Sequence, residues 1–176
     1  MSAETPPSTK KKSPKWKGWA RDLFLFVLLF TAVGMFQARN LIPTGEPFPL
    51  QEAPLYGGGT LTQDDLKGKT TLMVVWAPWC GVCGAASDNV SRVQKWLGDR
   101  AQIYSVAMDY QTDEAVQRFI DKHKVDYPVI LVDDTLAKDL KVSAFPTLYV
   151  LNKEGRVKHR ASGYTTTFGM LWRALI

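Results

Sequence analysis

The chain opens with a polar, lysine-rich lead and one long apolar run, followed by short apolar segments punctuated by glycine and proline. Thr70–Trp76 (TTLMVVW) is continuously apolar and β-rich between Gly68 and Pro78, the pattern of a strand buried on both faces. After it Cys83, Ala86, Val90, Val93 and Leu97 recur at spacings of three and four, predicting an amphipathic helix that Gly98 stops. Ala101–Met108 predicts the next strand. Thr112–Lys124 predicts a helix with Asp113 and Glu114 in its positive first turn and Val116, Phe119 and Ile120 turned inward. Tyr127–Val132 is another short apolar segment, and Thr135–Leu140 suits one or two helical turns. Leu148–Leu151 and Arg156–Arg160 flank the turn Asn152-Lys153-Glu154-Gly155 as a hairpin. Phe168, Leu171, Trp172 and Leu175 predict the inward face of a closing helix, and Tyr56–Thr60 (YGGGT) a hairpin turn ahead of the first central strand. The β-α-β-α order is that of an α/β chain, without internal repeats.

The first 45 residues read differently. Residues 1–18 are rich in Pro, Ser, Thr and Lys and predict a disordered cytoplasmic tail. Leu23–Phe36 carries no charge but is short for a membrane span, which needs about 20 residues. Extending it to residues 19–38 reaches that length and places Arg21 and Asp22 near the headgroups, with Trp16 and Trp19 at the interface. Three readings compete: a retained signal-anchor, a signal peptide cleaved near Ala32-Val33-Gly34, and a buried soluble helix. The anchor is the one expected, with the N-terminus inside by the positive-inside bias. Residues 39–45 then serve as a linker, and residues 46–176 form the domain outside the cytoplasm. The net charge of +5 does not alter this picture. Six of the 22 basic residues and two of the 17 acidic ones lie in Met1–Asp22, leaving the rest nearly neutral. No basic face remains for a phosphate backbone, so no nucleic-acid partner is expected.

The two cysteines, Cys80 and Cys83, are separated by Gly81-Val82, where the strand gives way to the helix. Exchange chemistry needs a thiolate, and a free cysteine is mostly protonated at neutral pH. A helix N-terminus favours negative charge, so Cys80 in that position suits an attacking thiol, and Cys83 one turn later suits its resolving partner. The plainer readings are a metal site or an inert staple. Zinc wants four ligands, and the only histidines, His123 and His159, lie far along the chain, so no metal ligand is assigned.

Trp76-Ala77-Pro78-Trp79-Cys80-Gly81-Val82-Cys83, followed some sixty residues later by Phe145-Pro146-Thr147, resembles the thioredoxin superfamily. The apolar N-terminal run, Leu66-Lys67-Gly68-Lys69 and the Asn152–Gly155 turn are similar to its membrane-anchored TlpA/ResA-like branch. The resemblance covers residues 46–176 and implies a central mixed sheet flanked by helices. It also implies a cis peptide at Pro146 lying against the dithiol and substrate contacts from Trp79, Gly81, Val82, Phe145, Pro146 and Thr147. Trp76 is expected in the core. Two departures stand out: Val74 replaces the buried Asp of thioredoxin, and Ala86 replaces the Glu of ResA-like proteins, so the sequence names no proton acceptor for Cys83.

The expected function is that of an extracytoplasmic protein thiol–disulfide oxidoreductase, a reductase or isomerase, with the Cys80–Cys83 disulfide in place of any cofactor. Its expected partners are proteins bearing disulfides or thiols and a membrane electron donor of thiol-transporter type. The expected location is a bacterial inner membrane, crossed once, with the catalytic domain in the periplasm. Ala144-Phe145-Pro146-Thr147 lacks the Gly-Ala-Pro-Glu-type motif of relatives that reduce apocytochrome c, whereas anchored relatives tied to copper tolerance look similar. Two alternatives stay open: a copper-binding or thiol-carrier module, and a peroxiredoxin-like peroxidase, against which Ala77 stands where those enzymes place Thr.

Overall fold

The computed structural model describes residues 15–132 and 134–176, and the chain divides after Val33 into two compact units. Most of the expected tail, residues 1–14, lies outside the described residues. Helix α1, Lys15–Ala38, forms the described part of the first unit and runs five residues past its end. Leu23–Leu29 are all more than half exposed, as is Trp19 at 82%. Among the described residues no helix is long and apolar enough to cross a membrane. The helix begins four residues before the expected span at 19–38 and ends with it at Ala38. Lys15, Lys17, Arg21 and Asp22 occupy its first turns and confine the uncharged run to Leu23–Phe36.

In the second unit a hairpin of β1 (Glu52–Pro54) and β2 (Thr60–Thr62) precedes a five-stranded sheet. Gly57, Gly58 and Gly59 make its turn at φ between 88° and 111°, a conformation glycine adopts without steric cost. The sheet is built from β3 (Thr70–Trp76), β4 (Ala101–Ala107), β5 (Val129–Leu131), β6 (Thr147–Leu151) and β7 (Val157–Ser162), in the order β5-β4-β3-β6-β7. β3 is central, parallel to β4 and antiparallel to β6; β5 is parallel to β4, and β7 is antiparallel to β6. The helices are α2 (Gly81–Leu97), α3 (Asp113–His123), α4 (Asp134–Asp139) and α5 (Thr167–Leu175).

Alternation along β3 divides the core. Leu72 and Val74 pack with Ile103, Leu148 and Val150 against Val90, Val93 and Leu97 of α2 and Met170 and Ala174 of α5. Trp76, at the end of that face, meets Val116 and Phe119 of α3. On the opposite face Met73 and Val75 pack with Val106, Ile130 and Tyr149 under Leu41, Ile42, Phe48, Leu50 and Leu61. Burial of β3 on both faces is what its unbroken apolar run predicts.

Two expectations need correction. Residues 39–45 are docked rather than a free linker. Leu41 and Ile42 are buried, Ile42 N–H donates to Tyr149 Oη (3.4 Å), Gly45 N–H donates to Val157 O (2.7 Å), and Arg160 donates to Ile42 O (3.0 Å). α5 presents Met170 and Ala174 to the core, while Phe168, Trp172 and Leu175 are exposed and only Leu171 of the expected set is partly buried. Thr166 fixes that rotation as N-cap, its hydroxyl accepting from Gly169 N–H (3.1 Å).

Burial pushes the phenols of Tyr127 and Tyr149 up to about 12. In the unfolded chain they ionise near pH 10, so there the unfolded state releases protons first. Their contribution to stability is complete below about pH 10 and lost as the pH approaches about 12. Urea midpoints measured from pH 9 to 11.5 are expected to fall along this window. Tyr149→Phe is expected to flatten the fall and to cost about 1–2 kcal/mol at pH 7, because Tyr149 Oη donates to Leu140 O (2.6 Å) and accepts from Ile42.

Candidate active site

Cys80 and Cys83 are joined by a disulfide with Cα atoms 5.3 Å apart. Cys80 is the N-cap of α2 in extended conformation (φ −82°, ψ 102°), and its Sγ accepts from Cys83 N–H at 3.2 Å. The chain reaches that cap through Trp76, Ala77, Pro78 and Trp79, with Cys80 N–H donating to Ala77 O (3.0 Å). The cap sulfur thus occupies the place where the unpaired amides of a helix start favour negative charge. Cys80 is 8% exposed and Cys83 2%. Their surroundings are apolar: Trp76, Ala77, Ala107, Val116, Phe119 and Val129.

The expected contact residues fall into two groups. Trp79 is 65% exposed, Gly81 and Val82 are exposed, and Phe145 is half-buried with its ring edge-on to Trp79 at 5.7 Å. These form the apolar surround of Cys80. The Phe145–Pro146 peptide is cis, as the resemblance implied. Val75 pairs with Thr147 across β3 and β6, which brings Pro146 to the end of the sheet that carries the dithiol. Thr147 itself is fully buried, its hydroxyl donating to Ala144 O (2.8 Å), so that side chain braces the proline loop instead of facing outward. Trp76 is in the core as expected, stacked on Phe119 with centroids 4.0 Å apart.

On the other flank of Cys80 lies a cleft of about 740 Å³ that the sequence reading missed. Trp79, Cys80, Asp109, Tyr110, Arg118, Lys122 and His123 contribute to its walls. Asp109 stands just beyond β4 in the left-handed region (φ 51°), which Asp tolerates better than most residues. Its backbone oxygen and carboxylate both accept from Trp79 Nε1 (3.2 and 3.0 Å), fixing the indole at the cleft's mouth. The Tyr110 phenol is pushed up by its burial and by the negative charge of Asp113, so it stays a donor at neutral pH. His123 comes here because α3 packs beside α2, and the spacing of Ala115, Phe119 and His123 along one helix face is the signal that a sequence reading had available.

A sulfur pair at a strand-to-helix junction, with a cis-proline loop beside it and a five-stranded mixed sheet beneath, defines a thiol–disulfide oxidoreductase of thioredoxin-like fold. The chain belongs to the Redoxin family, whose model matches residues 39–170. It is 29% identical over 149 residues to the thiol:disulfide interchange protein DsbE of Pseudomonas aeruginosa, a match covering 80% of each chain. Against the thiol-disulfide oxidoreductase ResA of Bacillus subtilis it is 26% identical over 150 residues, 81% of this chain and 83% of the relative. Among solved structures, StoA from Bacillus subtilis superposes with a TM-score of 0.63 at 20% identity, covering 72% of this chain and 96% of that one. A DsbF homologue from Corynebacterium diphtheriae gives 0.62 at 24%, covering 76% and 88%. These two establish likeness of fold.

The difference in exposure gives a direct expectation. In the reduced protein at pH 7, iodoacetamide is expected to alkylate Cys80 and leave Cys83 unmodified until denaturant is added. Peptide mass mapping checks this, and equal labelling of both sulfurs would show that the cap does not set their roles.

Proposed function

We propose that the chain is a membrane-anchored, extracytoplasmic protein-disulfide reductase or isomerase, with Cys80 attacking and Cys83 resolving. The observation that carries this reading is the Cys80 sulfur at the α2 cap, accepting from Cys83 N–H, with the second sulfur one turn away and more deeply buried. In the reduced form the Cys80 thiolate bonds to one sulfur of a partner disulfide and the other partner sulfur leaves as thiolate. Cys83 then attacks Cys80, the mixed disulfide breaks, and two electrons have passed from the dithiol to the partner. The Cys80/Cys83 dithiol itself supplies those electrons and ends as the disulfide, so no further cofactor enters the scheme.

Trp79, Gly81, Val82, Phe145 and Pro146 surround Cys80 and form the surface on which a partner chain is placed. Thr147 supports this surface from below. The names of the DsbE and ResA relatives, thiol:disulfide interchange protein and thiol-disulfide oxidoreductase, support the same reaction class. The apolar residues of α1, exposed around the helix, support attachment to a membrane, since a helix apolar all round is otherwise a core element. In this reading the residues before Trp19 stay in the cytoplasm, and a membrane thiol transporter returns electrons to the Cys80–Cys83 pair. Tethering concentrates the domain beside that donor.

The test is capture. Cys83→Ala is expected to accumulate mixed disulfides with partner proteins through Cys80, released by dithiothreitol, while Cys80→Ala captures none and fails to reduce insulin disulfides. A Cys83→Ala protein that yields no thiol-sensitive adducts would refute the assignment. For topology, alkaline phosphatase fused after Ile176 is expected to be active in a bacterial host and to remain with the membrane fraction. An inactive or freely soluble fusion contradicts the anchored reading.

A further inference from the structure

We propose that His123 is the ionising partner of Cys80: its imidazole stores the proton that the thiol gives up and returns it to the departing partner thiolate. The proposal deepens the exchange reading above and rests on it for the identity of the attacking sulfur. Three features of the fold converge on this side chain. Gly84 lies one turn beyond Cys80 on the same face of α2, and a Cβ at Gly84 would overlap the imidazole at Cε1, Nε2 and Nδ1 alike. Cβ positions tilt toward a helix N-terminus, so the space the ring fills lies over the turn that Cys80 caps. The ring is held in place by Phe119, 4.6 Å away by centroid and itself stacked on Trp76. His123 also shares the cleft wall with Cys80.

The other ionisable groups facing that space are already committed or do not titrate near neutrality. On the loop after β4, the Asp109 carboxylate holds the Trp79 indole, and the part-buried Tyr110 phenol is pushed further up from its ordinary value by desolvation and by Asp113. On α3, Arg118 and Lys122 bring basic side chains to the same wall. On α2, Cys80 and Cys83 are the reacting pair, and Asp88 stands one turn beyond Gly84 at an exposed position. Imidazole is the side chain that changes charge between about pH 5 and 8. Among the described residues no hydrogen bond ties down its ring nitrogens.

The step balances. Reduced Cys80 passes its proton to His123, giving thiolate and imidazolium. The thiolate bonds to a partner sulfur, the partner S–S bond breaks, and the leaving thiolate takes the proton from the imidazolium. Cys83 then loses its own proton to solvent and bonds to Cys80, and the second partner sulfur leaves as a thiolate that solvent protonates. Two electrons move from the dithiol to the partner disulfide, with no net change in protons.

The measurement is the rate of iodoacetamide alkylation of Cys80 from pH 4 to 9, with Cys83→Ala so that one thiol reports. An opposite charge within about 4–6 Å favours a charged form by at least about one unit, or tenfold in thiolate fraction. His123→Gln is therefore expected to lower the rate at pH 7 by about 3- to 10-fold and to move the profile's midpoint upward. Gly84→Ala, which displaces the ring, is expected to shift it in the same direction. A His123→Gln profile that superposes on its parent within twofold overturns the proposal. Should either variant lose its fold by circular dichroism, the wild-type protein decides by NMR. Reduction of the disulfide is expected to move the His123 Cε1–H titration upward, and identical curves for oxidised and reduced protein overturn the pairing. Absence of insulin reduction with a His123-dependent profile removes the reductase assignment and leaves this pairing intact; the converse result removes the pairing alone.

Discussion

The Cys80 sulfur accepting the Cys83 amide at the start of α2 is the contact on which the chemistry turns. A thiolate is a poor guest for a protein interior, and the apolar walls around this pair would by themselves keep both sulfurs protonated. What opposes that burial is a set of unpaired N–H groups whose direction is fixed by the helix behind them. The helix holds its direction because Val90, Val93 and Leu97 are pinned to one face of β3, and β3 is held by burial on both faces and by strands on both sides. The cap sulfur, the more accessible of the two at 8% against 2%, is therefore carried by elements that the core holds in place.

The same sheet brings a second element to the sulfur without any sequence proximity. β6 runs antiparallel to β3 in a register that pairs Thr147 with Val75, so the turn before β6 can only emerge beside the cap of α2. Burying the Thr147 hydroxyl on Ala144 O closes that turn from within. A one-residue slip of β6 would move its side chains to the opposite face and carry Tyr149 under α2 and α5, away from Leu140 and Ile42, which its hydroxyl ties into the core. Site geometry and core packing are thus set by one register.

The strands and helices with a strong apolar period were legible from the residues. β3 ends where its TTLMVVW run ends, α2 spans the stripe from Cys83 to Leu97, and the three-glycine turn is where glycine is needed. The cis-proline loop was legible by resemblance. What escaped was decided by partners distant in the chain. Leu41 and Ile42 read as linker because prolines follow them, yet Tyr149 and Arg160, more than a hundred residues away, supply the hydrogen bonds that dock them. α5 offered two apolar faces, and the one with Met170 and Ala174 won because the Thr166 cap sets the helix phase over the sheet. His123 was set aside as remote. Spacing along α3 puts it on one face with Ala115 and Phe119, but that this face meets α2 at a residue without a Cβ, Gly84, is decided by packing between the two helices.

Cys80 consequently sits between two unlike flanks. Phe145, Pro146 and Val82 give an apolar, neutral side, suited to the extended backbone and apolar side chains of a partner, where van der Waals contact and main-chain pairing give hold without charge. Arg118 and Lys122 give a basic side, shared with the His123 imidazole and with an Asp109 carboxylate that accepts from Trp79 Nε1. Positive charge beside a thiolate raises its population, but it also lowers the nucleophilicity of each thiolate formed. A flank of fixed charges alone would hold that balance constant with pH, whereas an imidazole among them lets it shift across the neutral range. The imidazole belongs to the flank built by α3, where Phe119 and the bare Gly84 hold the ring.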